Sequence, residues 1–270
     1  MPPTSAPSAV TEDLARQYHE RGYMILPGVL DRDTLTMLRE ECHYFVGYTD
    51  GQMDAKEERT RGITHRGKRY FIANQYRLSH RLWRYIYGQL MAEVCRAALG
   101  GDAYLFNEQW VVKGPDKGMK FAWHQDSGYV THRDPEATHK PYLTVWTNLD
   151  DVDESNGTVY VLPHDRAGTR GRVIEHVQEA QTNDLVGYTG DDPGVPVVAP
   201  AGSVVAFSST TFHRSGANTT PRMRRVYLTQ YSAEPIRNSR GERWAEAVPF
   251  VKGGANVYDH EADAASPHAS

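Results

Sequence analysis

At 270 residues, 39% hydrophobic and 24% charged, the chain can bury a sizeable core without disulfide or metal staples, as one large domain or two small ones. A net charge of −4 demands neither nucleic acid nor a membrane surface as partner, and no apolar run reaches the roughly 18 residues that span a bilayer. Two cysteines, Cys42 and Cys95, against twelve histidines point to a reducing, cytoplasmic setting and exclude a cysteine-based zinc or iron–sulfur site, so any metal must be held by His, Asp or Glu.

Residues 1–10 lack the basic start and apolar centre of a signal peptide, and their Pro/Ser/Ala composition predicts disorder. Thr11 can cap a helix in which Leu14, Ala15 and Tyr18 share a face, stopped by Gly22. Tyr23 to Leu26 read as a short apolar strand ended by Pro27-Gly28. Asp31 opens a second helix through about Phe45, with Leu35, Leu38 and Cys42 in register. Residues 46–68 are charged and aperiodic and predict a long surface loop. Ser79 begins a helix carrying Leu82, Ile86, Leu90, Val94 and Leu99, closed by Gly100-Gly101. Beyond it, short β-rich runs alternate with turn signals: 103–113, 120–125, 142–149, 157–162, 195–199, 203–207, 211–215 and 223–232. Eight such strands predict an antiparallel sandwich or jelly roll. Residues 254–270 read as a loose, flexible tail. The expected architecture is mainly β with flanking helices in one domain over 11–253. Its helical part (about 11–100) packs on one face of a jelly-roll core (about 101–235).

His124 and Asp126, in Trp123-His124-Gln125-Asp126, sit two apart on a predicted strand, so period-two geometry gives both the same face. His-x-Asp alone is a weak signal. A third ligand must come from another strand, and His213, near the end of the β-rich half, is the best placed. Two histidines and one carboxylate form the facial triad of non-haem Fe(II) oxygenases. His132, His139 and His164 are better read as surface residues. Arg224, eleven positions after His213, begins the last strand. Alternation puts it with Val226 and Leu228 on one face and Arg225 with Tyr227 on the other. An inward arginine is costly unless it pairs with a carboxylate through its guanidinium fork, whereas Arg222 and Arg225 suit the surface.

Together these residues resemble the phytanoyl-CoA dioxygenase family of Fe(II)/2-oxoglutarate oxygenases, from about Tyr18 to about Ser232. The likeness includes the opening helix, strand and turn of 18–30, the His-x-Asp motif, and the turn around Asn156-Gly157 that leads to Val161-Leu162-Pro163-His164. It also includes His213-Arg214-Ser215 with Arg224 at its spacing. The resemblance implies a double-stranded β-helix (a cupin-like jelly roll) and Fe(II) held by His124, Asp126 and His213. It implies 2-oxoglutarate and O2 as cosubstrates, with ascorbate as a stimulant. The distal carboxylate of 2-oxoglutarate would lie against Arg224 and Ser215. Trp146, Thr144 on the same strand face, and Gln109 would line the cosubstrate pocket. In the family's halogenating relatives a small residue replaces the carboxylate ligand. Asp126 is present here, which favours hydroxylation or a related C–H oxidation.

The predicted lid is built from 46–78, 127–141 and 164–194. Residues 56–69 hold six basic and two acidic side chains, a local +4 that could draw an anionic substrate. Tyr70, Phe71, Tyr76 and Tyr129 could floor the pocket. The expected partner is a small metabolite, anionic or a natural-product intermediate, met by a monomer or homodimer. Three rivals remain: a cupin-type dioxygenase or isomerase without 2-oxoglutarate, a non-catalytic binding barrel, and a zinc hydrolase on the same triad. The cupin has no need of the Arg224/Ser215 clamp and the hydrolase leaves Arg224 unexplained, while an intact His124, Asp126 and His213 set argues against a barrel without turnover.

Overall fold

The computed structural model describes residues 8–116, 120–179 and 184–266. Thr11 caps α1 (Glu12–Arg21) by accepting from the Leu14 N–H, and Gly22 ends it at φ 85°. A Cβ at Gly22 would lie 2.4 Å from both His164 Nε2 and Thr211 Oγ1, so only glycine admits this close approach. β1 (Tyr23–Leu26) follows, then α2 (Arg32–Ala55), capped by Asp31. Residues 46–55, expected as loop, continue this helix because Phe45, Thr49 and Met53 extend its buried face at four-residue spacing. The rest of the expected loop holds β2 (Thr60–Arg61) and β3 (Thr64–His65), leading to β4 (Arg69–Ala73). The single helix predicted from Ser79 is broken. After a 3₁₀ turn at Tyr76–Leu78 come α3 (Leu82–Ile86) and α4 (Gln89–Leu99), separated at Gly88, which is extended at φ −79°, ψ 172°.

The β-rich half opens with β5 (Ala103–Lys113), β6 (Phe121–His124), α5 (Asp126–Arg133), β7 (Leu143–Asn148), β8 (Val159–Leu162) and α6 (His164–Ala167). It continues with β9 (Val177–Gln178), β10 (Leu185–Val186), β11 (Val195–Pro196), β12 (Val204–Ser208), β13 (Phe212–Ser215) and β14 (Arg224–Ser232). β15 (Val248–Lys252), β16 (Ala255–Asn256) and α7 (His260–Ala265) complete the order. All eight predicted β runs hold strands. The large antiparallel sheet runs β1-β12-β7-β14-β5-β4-β3-β2, with β15 also on β5 and β16 on β15. The small sheet runs β11-β8-β13-β6, and β9 pairs with β10. The N-terminal helical part therefore also supplies four strands to the large sheet.

Alternation along the large sheet separates two cores. Val111, Trp146, Val205, Phe207, Val226 and Leu228 face the small sheet, meeting Val159 and Val161. The opposite face presents Trp110, Val112, Tyr227 and Tyr231 to Leu38, Phe45, Ile86, Met91 and Val94 of the helices. This is the jelly roll with helices on one face. Residues 255–266, expected to be loose, are ordered against the body by a buried polar contact. Asp263 is 8% exposed, accepts from the Tyr76 hydroxyl at 2.7 Å and pairs with Arg77 Nη2 at 2.7 Å.

Glu108 lies on the helix-facing side of β5 and is 1% exposed. Its Oε1 accepts from the backbone N–H groups of Gln75 and Tyr76, and the Tyr227 hydroxyl lies beside the carboxyl. Burial pushes the carboxyl up from 4.5 to about 7. Between these values the native state holds a proton that the unfolded chain has released, so stability falls as pH rises through this window. Glu108→Gln removes the ionisation, so on going from pH 5 to pH 8 the variant should gain about 2–3 kcal/mol on the wild type. Urea melts at the two pH values check this; an equal gap at both would refute it.

Candidate active site

His124 and His213 are register partners on β6 and β13, with ring centroids 4.2 Å apart. Each Nδ1 lies near the carbonyl two residues back: Ala122 O at 2.9 Å for His124, Thr211 O at 3.1 Å for His213. An imidazole N–H donated to a carbonyl leaves the other nitrogen, Nε2, as a lone-pair ligand, which fixes tautomer and ring plane together. Burial, followed by the proximity of His213, holds His124 well below the usual imidazole value, so its ring is neutral at physiological pH and Nε2 can offer a lone pair.

Asp126 was expected on the same strand as His124; it is instead the first residue of α5. The shared direction survives because Gln125 between them is extended, at φ −107°, ψ 139°. Asp126 Oδ1 lies 3.9 Å from His124 Nε2 and 3.5 Å from His213 Nε2. The three ligand atoms all fall within 4.8 Å of one another. Asp126 Oδ2 accepts from the Thr144 hydroxyl and from Gln230 Nε2 at 3.1 Å, and Gln230 Oε1 accepts from Asn107 Nδ2 at 2.8 Å. Oδ1 is thereby the oxygen presented to the histidines. Gln125 points the other way and ties the turn down. Its Nε2 donates to Arg172 O at 2.8 Å and Thr210 O at 2.6 Å, and its Oε1 accepts from Ile174 N. Behind the turn, a Cβ on Gly128 would lie 2.4 Å from the His176 ring, so α5 can seat there only with glycine.

Arg224 starts β14 and is 2% exposed. Its Nε and Nη1 are buried without a hydrogen-bond partner among the described residues. Burial lowers it to about 10. The guanidinium carbon sits 5.4 Å from the Trp146 ring centroid. Buried guanidinium donors are ordinarily satisfied, so these two are free to take an anion from the cavity. Ser215, Trp146 and Gln109 share the cavity wall with Arg224. Thr144, expected on that wall, is fully buried behind Asp126 and donates to its carboxylate. Arg225, expected at the surface, is half-buried and forks onto Asp150 through Nε at 3.0 Å and Nη2 at 2.5 Å.

A cavity of about 460 Å³ opens on the triad. Beyond the ligands, Phe71, Phe106, Tyr129, Tyr142 and Trp244 supply aromatic walls, and Asn74, Asn107 and Arg133 supply polar groups. Asn74 is left-handed at φ 57°, a conformation rare outside glycine and common at functional sites. Of the four aromatics expected to floor the pocket, Phe71 and Tyr129 do. Tyr70 and Tyr76 are buried elsewhere, donating their hydroxyls to Asp50 and Asp263. The basic mouth is largely neutralised: Arg61 pairs with Glu58, Arg66 with Asp50 and Asp54, and Lys68 with Asp116. His164 and His139, read as surface residues, are respectively buried against Gly22 and bonded to Ser127 Oγ at 2.9 Å. Gln230 was missed although period two from Arg224 points to it. Trp244 lies in an irregular segment that carries no sequence signal.

A two-histidine, one-carboxylate site inside a double-stranded β-helix, with a buried arginine facing the same cavity, defines the class of non-haem iron oxygenases that take a dicarboxylate cosubstrate. Residues 18–226 match the model of the phytanoyl-CoA dioxygenase family, and the chain belongs to that family. It is an Fe(II)- and 2-oxoglutarate-dependent dioxygenase by that membership. A probable alpha-ketoglutarate-dependent hypophosphite dioxygenase from Stutzerimonas stutzeri is 23% identical over 91% of this chain and 82% of its own length. An ectoine dioxygenase from the A1501 strain of that species is 23% identical over 80% of this chain and 74% of its own. Among solved structures, EctD from S. alaskensis with 2-oxoglutarate and 5-hydroxyectoine aligns with a TM-score of 0.69 at 19% identity. It covers 95% of this chain and 89% of that one, a likeness of fold.

Proposed function

We propose that the enzyme oxidises a C–H bond of a small amphipathic metabolite, chiefly by hydroxylation, with Fe(II) held by His124, Asp126 and His213. When bound, iron with 2-oxoglutarate and O2 supplies the oxidising power: one oxygen atom enters succinate as CO2 is lost, the other enters the substrate. The chain's own residues provide the rest. The Nδ1 contacts of the two histidines hold Nε2 toward the metal, and Thr144 with Gln230 fixes which Asp126 oxygen ligates. Arg224, its guanidinium carbon 5.4 Å over Trp146 and its Nε and Nη1 without a partner among the described residues, orients the cosubstrate by its distal carboxylate, aided by Ser215; Gln109 completes the wall. That guanidinium is the observation that carries the reading, because neither a cupin-type dioxygenase nor a zinc hydrolase requires a buried cation there.

The cavity volume admits a small molecule. Phe71, Phe106, Tyr129, Tyr142 and Trp244 suit an apolar or ring portion, and Asn74 and Asn107 suit its polar groups. Arg133, exposed at the rim, suits an anionic group, and this replaces the paired 56–69 segment as the source of anion preference. The test is a panel of amphipathic carboxylates and natural-product scaffolds, read as substrate-stimulated succinate release and by mass spectrometry. A product heavier by one oxygen is expected. Preference for fully cationic, hydrophilic compounds would overturn the substrate reading.

A further inference from the structure

Arg69, Lys113 and Arg224 are directly opposite one another on three adjacent strands, β4, β5 and β14. All three are buried, at 8%, 0% and 2% exposure. Like charges in opposed register destabilise a sheet, and burial multiplies the cost. The carboxylates whose charge reaches the rung are Asp184, for Arg69 and Lys113, and Asp150, for Arg224. Asp150 is already forked by Arg225. Lys113 Nζ is tightly held: it donates to Ser215 Oγ at 2.8 Å and Gly216 O at 2.6 Å, and sits 4.8 Å from the Phe121 centroid. With its oxygen accepting from Lys113, the Ser215 hydroxyl is left to donate its own proton into the cavity that it shares with Arg224.

We infer that Lys113 is a positioning residue for the distal carboxylate of the cosubstrate: it orients the Ser215 hydroxyl and adds a second buried cation beside Arg224. The inference rests on the 2-oxoglutarate reading above. A further consequence concerns protons. Burial, then Arg224 and Arg69, lower Lys113 to about 6, against the opposing pull of Asp184. The groups facing it from packed elements are Arg69, Arg224, Asp184, Ser215, Gly216 O and the Phe121 ring. A lysine depressed in this way recovers its proton when a carboxylate joins the guanidiniums, so dicarboxylate binding near pH 7 should take up a proton.

The experiment is anaerobic calorimetry of 2-oxoglutarate binding to the Fe(II)-loaded full chain, wild type against Lys113→Met and Lys113→Gln. It is repeated with 2-oxobutanoate, which lacks the distal carboxylate. The variants should bind 2-oxoglutarate about 10-fold or more weakly, with 2-oxobutanoate little changed and succinate kcat at saturation preserved. Wild type should take up protons, seen as a buffer-dependent binding heat, and the variants should lose this uptake. Equal weakening toward both oxo acids, unchanged affinity, or failure of both variants to fold would place Lys113 in the scaffold and overturn the inference. If the wild type binds neither oxo acid, the cosubstrate reading fails first, and the two failures are thereby distinguished.

Discussion

Asp126→Ala should lose both metal retention and succinate formation. Removing a group that only hydrogen-bonds a ligand typically costs 10- to 100-fold in metal affinity or activity, so losing the sole carboxylate should cost more than about 100-fold. The substitution also strips Thr144 and Gln230 of their shared acceptor. The readout is iron content after dialysis together with succinate formed. The circular dichroism spectrum should stay that of the wild type, because β6 and β13 still pair at His124 and His213. Full activity in the purified variant would remove the carboxylate from the ligand set.

Arg224→Ala has a different signature. Truncating one member of a buried charged pair costs about 2–5 kcal/mol, so the apparent KM for 2-oxoglutarate should rise at least about 30-fold. Iron affinity should hold, since the guanidinium touches none of the three ligands, and kcat at saturating cosubstrate should fall much less than kcat/KM. An unchanged KM would mean that the distal carboxylate lies elsewhere. Loss of iron with no change in KM would make Arg224 a scaffold residue.

Much of this site is legible in the sequence, for a definite reason. Strands impose period two, so His124, His213 and Arg224 can be assigned faces without knowing what they pack against. Asp126 shows the limit of that logic. Its direction is inferred correctly from a strand that ends before it, because one extended residue, Gln125, carries the alternation into a helix. The helical half is less legible. Thr49 is polar, which hides the buried stripe Phe45, Thr49, Met53 and makes 46–55 look like loop. Tyr87-Gly88 looks like the interior of a helix until Gly88 proves to be extended. Ion pairs resist sequence reading most: the net +4 of 56–69 depends on partners at Asp50, Asp54 and Asp116 that only the fold brings near. Tyr70 and Tyr76 mislead similarly, since hydroxyl partners at Asp50 and Asp263 draw them into the body. Lys113 and Gln230 lie at alternate positions from Gln109 and Arg224, so period two reaches them, but nothing in their residue types marks them as part of a site.

The most direct test is succinate formation from 2-oxoglutarate by the purified protein, with Fe(II), O2 and ascorbate, beside the His213→Ala variant. Succinate that requires added Fe(II), is lost on chelation and is absent from the variant is the expected result. Iron-loaded protein that makes no succinate with any oxidisable compound, or a variant that makes as much as the wild type, would contradict the account.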